Sequence, residues 1–204
     1  MMNWEKLNKH VKPKRALDVG ANIGDFTKGL LAYNPDCQVV MVEANPHCEP
    51  HLKQIGQRYD MVALSSKAGI SELYIENSNL VGTGASLYKE NTVWYTEDKC
   101  HKHLVPTKTL DGSNYFNGEI IDLIKLDVQG SELDIIKSGE NTIKNTNFVL
   151  AEVSLVQYNE GAPLIDAVVD KMVELGFCIA DIVEYHESNN IIFQLDILFK
   201  NLKQ

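Results

Sequence analysis

The stretch "RALDVGANIGDFTKGL" (15–30) limits what this chain can fold into more than any other segment. Two apolar residues, Ala16 and Leu17, lead into Asp18 and Val19, and Gly20-Ala21-Asn22-Ile23-Gly24 then strips most side chains from the backbone. From Ile23 the apolar positions Ile23, Phe26, Leu30 and Leu31 recur at helical spacing, with Asn22 placed as the cap. A short buried strand that turns through glycines into an amphipathic helix is the opening of a βα unit, and such units build parallel sheets.

The rest of the chain keeps that rhythm. Residues 4–11 predict a short helix ended near Pro13. "QVVMVE" (38–43) predicts a buried strand, and Asn45-Pro46 a helix start with Asn as cap and Pro in the first turn. "DMVAL" (60–64) predicts a third strand. Residues 66–110 break the alternation: "ISELYIE" and "HLVPTKTL" read as strands around a polar, glycine-containing stretch, an insertion of the length used for lids and binding loops. Alternation resumes with strand "IIDLIKLD" (120–127), helix "SELDIIKSG" closed by Gly139, strand "NFVLAEV" and a helix from Pro163 to Leu175 stopped at Gly176. "FCIADIVEY" and "IIFQLDILFK" form a closing antiparallel hairpin across "HESNN". The expected fold is α/β: a doubly wound, mostly parallel seven-strand sheet with an antiparallel C-terminal hairpin, in one domain over 1–204 with 66–110 as a substrate-side insertion or lid.

Composition narrows the partners. A chain of 204 residues can bury one sizeable core, and its formal charge of −9 opposes a surface built to displace counterions from nucleic acid. No apolar run reaches membrane-spanning length and no secretory segment stands at the N-terminus, so a cytoplasmic protein is expected. Cys37, Cys48, Cys100 and Cys178 form no CxxC pair and read as free thiols.

What the opening turn binds follows from its residues. A dinucleotide turn reads GxGxxG and places a helix N-terminus against pyrophosphate. Here Asn22 replaces the middle glycine, the third glycine is missing, and Asp25 sets a negative charge in the first helical turn, where it opposes phosphate. A ligand with a cationic centre and no phosphate suits the turn better, and S-adenosylmethionine carries both an ammonium and a sulfonium. Asp18 then becomes an asset, Gly20 and Gly24 admit close approach of the main chain, and Glu43 at the end of the second strand can accept from ribose hydroxyls. Glu43 alone would serve a nicotinamide oxidoreductase equally well.

With "LDVGANIGDFT", "VEANP", "TKTLD", "IDLIKLDVQGSELDIIKSGE" and "FQLDILF" in this order over most of residues 15–199, the chain resembles the FkbM-type methyltransferases, a branch of the class I S-adenosylmethionine-dependent enzymes. Gln129 stands where that family usually has Glu. The resemblance implies that Asp18, Gly20, Ala21, Asn22 and Gly24 line the methionine side of the cofactor, Glu43 the ribose, and Ala44 with Leu64 and Ser65 the adenine. It implies that Asp127 meets the cofactor's amino group, and that the acceptor is a hydroxyl of a sugar, glycan or natural product. A cofactor-binding module without catalysis is the alternative that Gln129 raises.

Methyl transfer to an alcohol needs in-line placement and a group to take the proton. Asp127, Glu132 and Glu152 are the candidate bases. Asp127 and Glu152 end neighbouring strands at the switch point, and Glu132 starts the helix after Asp127. His101 or His103 would serve if the insertion folds over the site. Ser86, Tyr88 and Trp94, with Tyr95, are expected to shape the acceptor pocket. "CHKH" (100–103) and "HCEPH" (47–51) match no closed zinc spacing, and no metal is expected, although two neighbouring carboxylates holding a divalent cation stays open.

Overall fold

The computed structural model describes residues 2–93 and 95–203. In chain order it runs α1 (Trp4–His10), β1 (Arg15–Val19), α2 (Asp25–Tyr33), β2 (Gln38–Glu43), a 3-10 turn (Pro46–Cys48), α3 (Glu49–Ile55), β3 (Arg58–Met61) and β4 (Ala63–Leu64). Then come β5 (Gly69–Glu76), β6 (Cys100–Lys108), α4 (Leu110–Ser113), β7 (Ile121–Leu126), α5 (Glu132–Ser138), α6 (Glu140–Lys144), β8 (Thr146–Ser154), α7 (Ile165–Glu174), β9 (Phe177–Ser188) and β10 (Ile191–Asn201). Seven strands form one sheet in the order β3-β2-β1-β7-β8-β10-β9. The pairs from β3 through β8 are parallel, while β10 runs antiparallel to both β8 and β9. This is the doubly wound sheet with a terminal hairpin that the alternation implied.

Side chains on successive strand residues point to opposite faces, so each face grows its own core. Leu17, Val40, Ile124 and Val149 meet Ile136 of α5, Ile143 of α6 and Met172 of α7 on one face. Ala16, Met41, Leu123 and Leu198 meet Leu7, Leu30 and Leu52 of α1, α2 and α3 on the other. Each such side chain fully removed from water contributes about 1.5–3 kcal/mol, and both faces are needed to hold β1 and β7 in the middle. At the α1–α2 contact Trp4 lies over Gly29, where a Cβ would come 2.1 Å from the indole.

Several expected boundaries are corrected. The single strand over 60–64 is two strands in two sheets: β3 pairs with β2, and β4 pairs with β6. The break falls at Val62, whose N–H still donates to the Glu43 carbonyl of β2 at 2.8 Å before Ala63 turns to pair with β6. Residues 69–108 supply β5 and β6, which join β4 in a small three-stranded sheet with its own apolar cluster around Leu73, Ile75 and Val105. The strand expected over 103–110 starts earlier, at Cys100, and stops before Thr109, which caps α4 by accepting from the Gly112 N–H. The helix over 131–139 is followed directly by a second one, α6, that the glycine concealed.

Candidate active site

Three left-handed residues shape the turn after β1: Gly20 (φ 79°), Asn22 (φ 49°) and Gly24 (φ 81°). A Cβ on Gly20 would sit 1.7 Å from the Asp127 carbonyl oxygen, so only glycine lets this turn lie against the end of β7. The helix starts at Asp25 with Gly24 as its cap, not at Ile23 with Asn22. Asn is the non-glycine residue that best tolerates this backbone, and its side chain is left free to reach elsewhere. It donates to the carbonyls of Val81 at 3.0 Å and Gly82 at 3.3 Å. The Asn22 and Asn45 N–H groups both donate to the Glu43 carboxylate, each at 2.7 Å. Burial pushes the Glu43 carboxyl above its usual range, and these backbone donors pull it back only in part.

A cavity of about 70 Å³ lies between this turn, the end of β2 and the segment 82–87. Of the expected cofactor residues, Gly20, Asn22, Glu43, Ala44, Leu64 and Asp127 line it. The others lie elsewhere. Asp18 is wholly buried beneath the turn, where its Oδ2 accepts from the Thr27 hydroxyl at 2.6 Å. Gly24 packs toward Ile55, and Ala21 lines a neighbouring cavity with Trp4 and Phe26. Ser65 is spent on the backbone, donating its N–H to Lys108 and accepting from the Ser138 hydroxyl. The wall also holds a group that sequence reasoning did not name: the buried Ser131 hydroxyl has no hydrogen-bond partner among the described residues. An orphaned hydroxyl beside two carboxylates and the aliphatic Val62 and Leu64 fits a nucleoside that offers both polar edges and an apolar face.

Beyond Asp127 lies a second, larger cavity of about 450 Å³, and both cavities share Gly82, Thr83 and Asp127 as wall. Here the end of β7 meets the hairpin. Asp127 accepts from the Lys125 ammonium at 2.9 Å and from the Gln129 amide at 3.0 Å. The same Gln129 amide donates to Glu152 Oε2 at 2.5 Å, as does the Gln194 amide at 3.0 Å. A glutamate at 129 would place a third acidic group between two carboxylates; the amide of this chain supplies donors to both. Gln129 holds φ 57°, which turns its side chain back over the strand ends.

Charge in this cluster is tightly balanced. Burial alone would lower the Lys125 ammonium, but Asp127 and Asp18 raise it above its ordinary value. Burial likewise raises Asp127, and the Lys125 charge outweighs it and holds the carboxyl low. Glu152 is pushed well up by burial and then by the charges of Asp127 and Asp196. His186 is raised by its hydrogen bond to Asp196.

Asp127 and Glu152 thus both face the second cavity, together with His186, Gln194, Tyr95 and Tyr158. Glu132 does not line it: its carboxylate accepts from the N–H groups of Val128 and Gly130, each at 3.0 Å, and braces the turn after β7. Burial raises its pKa to about 7. Ser86 and Tyr88 fasten the insertion instead of lining the cavity, Ser86 donating to the Gln129 carbonyl at 2.7 Å and Tyr88 to Asp134 at 2.9 Å. Trp94 lies outside the described residues. His101 and His103 lie on β6, where His101 bonds to Asn77, and neither lines this cavity. His186, Lys125 and Asp196 went unread in the sequence. The available signal was polar residues at alternate positions of apolar strands: Glu184 with His186, and Gln194 with Asp196.

Comparison with known proteins agrees with this architecture. The model for the methyltransferase FkbM domain matches residues 18–179. A curated relative, the 2-O-methyltransferase NoeI of Sinorhizobium fredii (strain NBRC 101917 / NGR234), is 27% identical over 169 residues, covering 76% of this chain and 69% of that protein. Among solved structures, a methyltransferase FkbM from Methylobacillus flagellatus KT superposes with TM-score 0.59 at 12% identity, over 93% of this chain and 44% of that one. This chain therefore spans under half the length of that neighbour. The magnesium protoporphyrin IX methyltransferase of Synechocystis PCC 6803, crystallised with bound SAM, gives TM-score 0.56 at 8% identity over 97% of this chain and 74% of that one. At such identities the structural likeness speaks for the fold alone. No helix among the described residues is long and apolar enough to cross a membrane.

Proposed function

The chain belongs to the FkbM methyltransferase family, and we propose that it transfers a methyl group from S-adenosylmethionine to a hydroxyl of a small polar acceptor. The observation that carries this reading is the pair of cavities meeting at Asp127, one lined by the strand-end carboxylates and the glycine turn, the other by the hairpin. A transferase needs two ligands side by side with one wall between them, and this arrangement supplies it. Membership of the methyltransferase FkbM family supports the donor, and the 2-O-methyltransferase relative supports the oxygen acceptor.

Glu43 is the residue for the ribose hydroxyls, since each of its oxygens keeps a lone pair beyond its backbone bond. Asp127 faces the amino group, and Ala44, Leu64 and Ser131 face the base. When bound, S-adenosylmethionine supplies an electrophilic methyl on a sulfonium. The chain's own residues do the positioning: Lys125 and Gln129 hold Asp127 in place, and Gln194 with Gln129 holds Glu152. Asp127 and Glu152 are the carboxylates that wall the acceptor cavity and receive the hydroxyl proton. Tyr158 and Phe193, stacked with centroids 5.7 Å apart, offer the acceptor an apolar wall.

The donor cavity of about 70 Å³ is far below the roughly 300 Å³ or more that such ligands occupy. Segment 79–87 closes over it, held by Asn22 and by the Asn45 amide, which donates to the Leu80 carbonyl at 2.7 Å. We therefore assign this segment as the part that lifts for entry. The test is incubation with methyl-labelled donor and a panel of sugars, glycans and hydroxylated natural products. Label transfer to a hydroxyl with release of S-adenosylhomocysteine supports the reading, and transfer only to nitrogen or carbon acceptors contradicts it.

A further inference from the structure

The hairpin carries a constellation that positioning an alcohol does not by itself require. Asp196 of β10 stands directly opposite Glu152 of β8 in the antiparallel register. Both side chains are buried, at 5% and 7% exposure. Like charges directly opposed on a sheet repel, and burial makes the repulsion worse. The Lys125 ammonium is engaged with Asp127 at 2.9 Å and lies 3.8 Å from Asp18. His186 Nε2 is the donor set between the two carboxylates, 3.5 Å from Glu152 Oε1 and 3.3 Å from Asp196 Oδ2.

The three donor atoms lie within 4.8 Å of one another. A divalent ion with bonds of about 2.0–2.2 Å sets its ligand atoms about 3.0–3.5 Å apart, whether tetrahedral or octahedral. The two separations given above match that spacing. A second feature points the same way from outside the cluster. Glu152 Oε2 is fixed by the amides of Gln129 and Gln194, which leaves Oε1 aimed at the opening between His186 and Asp196. Amides that tie one oxygen of a carboxylate and free the other are the outer support a ligating carboxylate needs. His186 is half-buried and, with Glu152, lines the 450 Å³ cavity, so the opening has both an entry path and room for an acceptor atom.

We propose that Glu152, His186 and Asp196 bind one divalent metal ion, with open coordination positions facing the acceptor cavity. One imidazole and two carboxylates suit a hard to borderline ion such as Mn²⁺ or Zn²⁺, and exclude soft monovalent copper. The ion's role rests on the acceptor reading above: an alcohol oxygen bound to it becomes more acidic, and Asp127 remains as the carboxylate outside the ligand set. Its binding does not depend on that reading.

The test therefore uses chelator-treated full-length protein with no donor and no acceptor, titrated calorimetrically with Zn²⁺ and separately with Mn²⁺. The expected result is one equivalent bound, with affinity falling at least tenfold in His186→Ala and in the isosteric Asp196→Asn, and unchanged in His101→Ala. Absence of binding to the unmodified protein overturns the proposal, as does binding that both site variants leave intact. Should the variants fail to fold, Mn²⁺ broadening of histidine ring resonances in the unmodified protein decides. Selective broadening of His186 supports the site, and broadening confined to His47, His51, His101 or His103 overturns it. Failure of methyl transfer would leave these outcomes untouched.

Discussion

The side-chain amide of Asn22 donates to the Val81 carbonyl at 3.0 Å, tying the glycine turn of the main sheet to the segment that covers it. Asn22→Gly keeps the left-handed backbone and the main-chain bond to Glu43 but removes this tether. The loss should cost about 0.5–1.5 kcal/mol and show as faster amide exchange confined to residues 79–87. Exchange there that matches the unmodified protein would contradict the assignment of this segment as the moving part.

Lys125 is the buried cation between two carboxylates, the wholly buried Asp18 and the partly exposed Asp127. Lys125→Met preserves the stem and removes the charge, leaving Asp127 and Asp18 without their counter-ion. Removing one partner from a buried pair costs about 3–5 kcal/mol, and chemical denaturation at neutral pH should report a loss of that order. The deficit should shrink on acidification, because protonating the stranded carboxylates removes the repulsion. A variant as stable as its parent would mean that these acids are neutral in the folded chain.

Glu132 offers a pH signature. Its folded-state pKa is raised from 4.5 to about 7 by burial. Between those values the native state keeps a proton that the unfolded chain has released, so this group's contribution is present at low pH, declines as pH rises through the window and is flat above about 7. Comparing denaturation of the parent with Glu132→Gln between pH 4.5 and 8 should expose a difference in stability change on the order of 3 kcal/mol. Parallel curves would show that the backbone donors of Val128 and Gly130 hold Glu132 ionised throughout.

Gln129 bridges Asp127 and Glu152 with one amide nitrogen. Gln129→Glu replaces that donor with a third acid, so the folded variant should take up about one additional proton at neutral pH, measurable as a pH-dependent gap in melting temperature that closes on acidification. Identical profiles for the two proteins would show that position 129 does not hold the pair together.

The main sheet could be read from sequence because its signals are local. The apolar run before Asp18, the glycines after it and the 3.6-residue spacing from Phe26 onward lie within one segment, and the same holds around Asp127. The split at Val62 was not readable: "DMVAL" has one uninterrupted strand pattern, and the partners that divide it, β2 for one part and β6 for the other, lie elsewhere in the chain. The hairpin side of the site was hidden for a similar reason. His186 looks like a polar residue in a solvent-facing strand until the antiparallel pairing sets it opposite Gln194, from where its ring reaches Glu152 and Asp196. Ser86 and Tyr88 were singled out for their chemistry, but their hydroxyls are consumed by Gln129 and Asp134, partners that the sequence does not place next to them.

In the proposed function, the cavity between the glycine turn and the carboxylates of Glu43 and Asp127 takes the methyl donor. Isothermal titration of the purified protein with S-adenosylhomocysteine tests it without any acceptor. The expected result is a saturable one-to-one heat that weakens at least tenfold in Glu43→Ala while the fold, judged by circular dichroism, persists. No saturable heat from the folded parent, or an unchanged curve from that variant, would contradict it.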